Sequence, residues 1–128
     1  MTTFWRDWVG LPWELQADPR DGRAACCFMT AQAAREAMGM PWPAHLMPEW
    51  YCMARAGHWA SLRHDWAAMT EPIKKPEVGA LIQFDNRNDS FGVGILPDER
   101  TFITVRHNGR LVAGPASACG KLNLFRLK

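Results

Sequence analysis

Cys26 and Cys27 stand side by side at the head of Cys26-Cys27-Phe28-Met29-Thr30-Ala31-Gln32-Ala33-Ala34-Arg35-Glu36-Ala37-Met38-Gly39, a stretch that reads as a helix stopped by a glycine. A thiol on the first turn of a helix meets unpaired backbone N–H groups and the positive end of the helix dipole. Both favour the thiolate, the form that attacks a carbonyl carbon. The pattern therefore points to nucleophilic cysteine chemistry, which also needs an imidazole to protonate the leaving amine. The plain alternative is that two small side chains pack the start of a buried helix, as free cysteines commonly do.

The candidate bases are few. His107 is the one histidine in the β-forming half of the chain and the only substitute base on a sheet. It sits beside Asn108-Gly109, a turn pair whose neighbours normally face solvent. His45, His58 and His64 come earlier and read as surface residues. His64 and Asp65 could imitate an oriented base, but adjacent helical residues do not face each other. Cys26, Cys27, Cys52 and Cys119 lack the paired ligands, two to four residues apart, of a zinc site, so no metal or cofactor is expected. Gly92 and Gly94 are no phosphate loop, because neither a helix nor a P-loop lysine follows them.

The elements that must position these groups fall into two halves. Thr2 to Val9 reads as a short amphipathic helix capped by Thr2 or Thr3 and ended by Gly10-Leu11-Pro12. Trp13 to Ala25 is a polar loop with turn chemistry at Asp18-Pro19-Arg20-Asp21-Gly22. On the central helix Gln32, Arg35 and Glu36 share one face, with Cys27, Thr30, Ala34, Ala37 and Met38 on the buried one. A second helix starts at Pro48 and runs to about Gly57, and a third spans Trp59 to Met69. From Pro76 the period changes to two. Gly79–Phe84, Phe91–Leu96, Thr101–Arg106, Arg110–Ala113 and Leu122–Leu127 are strand candidates, with turns at Asp85–Ser90, Pro97–Arg100 and a tight Asn108-Gly109 hairpin. Helices followed by a small antiparallel sheet make an α+β fold in one domain, residues 1–128.

Bulk composition narrows the partners. A formal charge of +2 with scattered basic residues gives no footprint for nucleic acid. No apolar run reaches the roughly 20 residues of a membrane span. The adjacent cysteines and the lack of a leader fit a reduced protein made in a cytoplasm. Seven tryptophans, all within the first 66 residues, suggest a Trp-rich core with one or two rings left to anchor a partner.

Three stretches resemble the NlpC-type cell-wall cysteine peptidases, a papain-like family, in the branch encoded with phage tail genes. Trp8-Val9-Gly10-Leu11-Pro12-Trp13 is similar to the family's opening Trp-x-Gly-x-Pro-aromatic. The central helix through Gly39 resembles its Asp-Cys-aromatic-Gly-Leu helix. Lys75 to Phe84, with Gly92-Val93-Gly94-Ile95 and Phe102-Ile103-Thr104-Val105, resembles its strand region. The resemblance implies a nucleophile slot at Cys26, or at Cys27 with its aromatic Phe28 if the register slips by one. It puts the histidine slot at Gly92 and the group orienting it at Thr104, and it finds no aspartate before the cysteine. A glycine can neither hold a thiolate nor protonate an amine. The resemblance thus implies an NlpC fold reused as a structural component of a phage tail or tail tip, among other tail proteins in the virion. The alternative is an active peptidoglycan endopeptidase using Cys26 or Cys27 with His107 relocated as base. A third possibility is a binder that holds wall peptides uncut.

Overall fold

The computed structural model describes residues 3–85, 91–119 and 124–128. Of the expected Asp85–Ser90 turn, Asp85 is described and ends a strand; the rest of that turn, Thr2, and the first residues of the last expected strand lie outside them. Helix α1 spans Cys27–Ala37, with Cys26 as its extended N-cap at φ −125° and ψ 162° and Gly39 beyond its end at φ 71°. Helix α2 is Met47–Ala56, with Pro48 in its first turn and Gly57 closing it in the left-handed region. Helix α3 is Trp59–Met69, the span the sequence predicts. The expected N-terminal helix is instead a single 3-10 segment, Phe4–Trp8, and a 3-10 turn at Pro19–Asp21 interrupts the loop before α1.

Six strands form one antiparallel sheet: β1 (Thr70–Ile73), β2 (Leu81–Asp85), β3 (Phe91–Asp98), β4 (Thr101–Val105), β5 (Leu111–Pro115) and β6 (Leu124–Leu127). Their spatial order is β1-β6-β2-β3-β4-β5, so the last strand inserts between the first two. Strand β1 is absent from the sequence expectation. Thr70-Glu71-Pro72-Ile73 carries a charge and a proline, the composition of an edge strand. The β4–β5 connection is longer than a two-residue turn. Val105 pairs with Leu111, leaving residues 106–110 as the loop, with only Asn108 in the left-handed region at φ 59°.

Strand alternation divides the sheet cleanly. Leu81, Phe91, Val93, Ile95, Ile103, Val105 and Leu111 pack under the helices with Phe28, Trp50, Leu62 and Trp66. Ile82, Leu96 and Leu124, joined by Phe84 and Phe102, make a smaller cluster on the opposite face. Helix α1 lies across β3 and β4, and Ala31 and Ala34, both with no exposed surface, let it come close. Two side chains depart from the expected helical wheel: Ala37 is exposed and Arg35 is buried. Arg35 donates from Nε to the Pro41 carbonyl at 2.8 Å and from Nη1 to the Gly79 carbonyl at 2.7 Å. It ties the helix to the segment leading into β2.

Gly94 fills a space no side chain could take. A Cβ there would lie 2.9 Å from the Phe84 ring and 3.0 Å from the Ile103 carbonyl oxygen. Gly94→Ala is expected to cost about 1–3 kcal/mol through overpacking. A urea midpoint lowered at constant slope would register it; an unchanged midpoint would mean that β3 and β4 can part freely.

Candidate functional site: a cysteine-lined cleft

Residues Gly10 to Trp13 assemble the site by pairing on both sides. On one side the Gly10 N–H donates to the Leu111 carbonyl at 2.8 Å, the Leu111 N–H to the Leu11 carbonyl at 2.9 Å, and the Trp13 N–H to the Gly109 carbonyl at 2.9 Å. On the other, the Ala25 N–H donates to the Pro12 carbonyl at 2.9 Å and the Glu14 N–H to the Ala25 carbonyl at 3.1 Å. Pro12 suits this place because its carbonyl is used and its missing N–H is not needed. This strap holds the 106–110 loop beside the start of α1. His107, Cys26 and Cys27 consequently line one cleft of about 470 Å³. Trp13 lines it too, with the His107 ring edge-on to its indole at 4.3 Å between centroids.

The two thiols differ. Cys26 is 2% exposed, and its Sγ lies 3.2 Å from the Tyr51 hydroxyl. Burial, then the neighbouring Cys26, pushes the Tyr51 phenol up, so it stays a neutral hydrogen-bonding partner. Cys27, the first residue of α1, is half-buried as a residue. Its sulfur is hemmed in by protein, and that burial, followed by the charge a Cys26 thiolate would carry, pushes its thiol up to about 12. Backbone groups of Val93, Phe28 and Cys27 itself pull the other way. The helix-start effect that the sequence suggests is therefore present and outweighed by desolvation.

The remaining expected site residues face elsewhere. Gly92 pairs with Phe84, and Gly94 with Thr104. Phe84 belongs to the cluster on the far side of the sheet. Positions 92 and 104 thus project away from α1, although the Gly92 backbone reaches the cleft. The Thr104 hydroxyl is buried and donates to the Val93 carbonyl at 2.9 Å. The sheet wall beside the cysteines is formed by Phe91 and Val105, and Phe91 stacks on Phe28 at 6.3 Å. The period-two rule already puts 91, 93 and 95 on one face and 92 and 94 on the other, and that signal locates Phe91.

Among the described residues no hydrogen bond joins His107 to either sulfur. His45, His58 and His64 are exposed and do not line the cleft. Tyr51, Arg55 and Trp59 also line the cleft and have no local sequence signature. Among the described residues no group of three or more His, Cys, Asp or Glu side chains could hold a metal ion, and no helix is long and apolar enough to cross a membrane. Set against known proteins, the chain matches no protein-family model and no curated protein.

Proposed function

We propose that this chain is a non-catalytic domain of NlpC-like, papain-like design, serving as a structural component of a phage tail or tail tip. One observation carries the non-catalytic half. The cleft wall next to the cysteines presents Phe91 and Val105, and the Cys27 thiol is held neutral. Acyl transfer from an amide needs a thiolate and a proton donor for the leaving nitrogen; neither Phe91 nor Val105 can move a proton, and among the described residues no hydrogen bond joins His107 to either sulfur. The tail assignment rests on the sequence resemblance. Purified phage particles are expected to contain the protein in fixed stoichiometry. Finding it only in infected-cell extract would remove the virion role.

A second reading is favoured by His107 sharing a cleft with Cys26 and Cys27. In that reading the 106–110 loop shifts, the imidazole takes a thiol proton, and the chain cleaves wall peptides. A peptidoglycan-clearing assay separates the two. The wild-type protein is expected to give no clearing above the Cys26→Ala, Cys27→Ala and His107→Ala variants. Clearing that disappears in any of them would establish the endopeptidase.

A further inference from the structure

Arg55 is the one fully charged side chain on the cleft among the described residues; no Asp or Glu lines it. It lies in the last turn of α2, and its Nη2 donates to the side-chain oxygen of Gln16. That partner is a neutral amide, so it orients the guanidinium without neutralising it. Gln16 itself is held at φ 66°, a conformation that L side chains seldom adopt. Among the described residues no carboxylate pairs with Arg55. Arg55 is exposed, and its remaining guanidinium donors face solvent, open to a ligand in the fork geometry that matches a carboxylate. Around this charge the cleft is aromatic, lined by Trp13, Trp59 and Phe91. Its volume of about 470 Å³ falls within the range of about 300–1,000 Å³ usual for small-ligand pockets.

We propose that the cleft captures the C-terminal end of a polypeptide, with the terminal carboxylate on Arg55 and an apolar last side chain against the aromatic wall. This rests on the non-catalytic reading, since a chain end held there must remain uncut. A single exposed cation at the edge of an aromatic wall fits a chain end. An internal peptide bond has no charge to answer Arg55, and a phosphate site gathers several cationic donors. His107, which lines the same cleft, adds a polar contact for the preceding peptide group.

Calorimetric titration of the full chain with acetyl-Ala-Phe, its C-terminal amide, and acetyl-Asp-Phe amide tests this. The free acid is expected to bind at least about tenfold tighter than its amide, as a charge-assisted pair requires. In Arg55→Gln that ratio is expected to fall to about one, with the amide's affinity unchanged. Retained amide binding also shows that the variant is folded. Equal affinity for acid and amide in the wild type, or no binding of either, overturns the proposal. So does acetyl-Asp-Phe amide binding as tightly as the free acid, which would assign the cleft to internal acidic segments. Mass spectrometry of the same samples separates the two claims. Cleavage of a probe refutes the non-catalytic reading, whereas equal affinities without cleavage refute only the chain-end proposal.

Discussion

Cys27 is expected to alkylate roughly 50-fold more slowly near neutral pH than an unperturbed thiol, with its rate climbing until the pH approaches 12. The thiol is raised from 9.0 to about 12, so the thiolate fraction near neutrality falls about a thousandfold. The higher intrinsic nucleophilicity of a more basic thiolate returns roughly 20-fold of that. Exposed Cys52 is an internal reference in the same labelling experiment, read by mass-spectrometric site assignment. Fast labelling of Cys27 at pH 6–7 would mean an activated thiolate and would end the non-catalytic reading. The same shift has a stability sign. A thiol raised in the folded state contributes fully below its unfolded value near 9 and loses that contribution as pH rises toward 12. The unfolded chain releases its proton first, so alkali favours unfolding. Cys27→Ala is expected to flatten this alkaline slope.

Arg35→Ala is expected to destabilise the fold by about 3–5 kcal/mol, measured as a lower urea midpoint with the slope unchanged. Two charge-assisted hydrogen bonds disappear, and the carbonyls of Pro41 and Gly79 lose their donor. Burial lowers the Arg35 pKa, yet a guanidinium does not deprotonate in proteins, so its charge must be met by these carbonyl dipoles. Arg35→Met separates the causes. It keeps most of the apolar stem and loses the donors, and it should recover only the packing share of the loss. A midpoint shift equivalent to under about 1 kcal/mol in Arg35→Ala would show that water satisfies both carbonyls as well as the side chain does.

What could be read locally in the sequence is what local chemistry decides. Gly57 ends α2, alternation marks β2 to β5, and α3 spans Trp59–Met69 as expected. Arg35 was legible only as a charge on a helical wheel. Its burial depends on a carbonyl 44 residues away. Strand β1 escapes because its proline and glutamate suit an edge, and its partner is the distant β6. In the site, the helix and its cysteines were legible, but the balance at Cys27 was not. A helix start lowers a thiol's pKa and burial raises it, and only the packed environment says which is larger. The strap that brings His107 to the cysteines joins residues about 100 positions apart, beyond any periodicity.

That strap also orders events in time. Besides its near partner Ala25, the Gly10–Trp13 strap pairs with Gly109 and Leu111, so this second pairing closes one of the longest loops in the chain. Loop closure of that length is paid for before its contacts are gained, which makes it a late and slow step. Helix α1 and the β3–β4 hairpin depend on far nearer partners and can form first. During folding, the helix layer and most of the sheet should therefore exist while the cleft does not. Hydrogen exchange followed during refolding would show amides of α1 protected ahead of Trp13 and Leu111. A cell holding partly folded copies would hold molecules with a scaffold but no pocket, and whatever the pocket engages would meet only the finished protein.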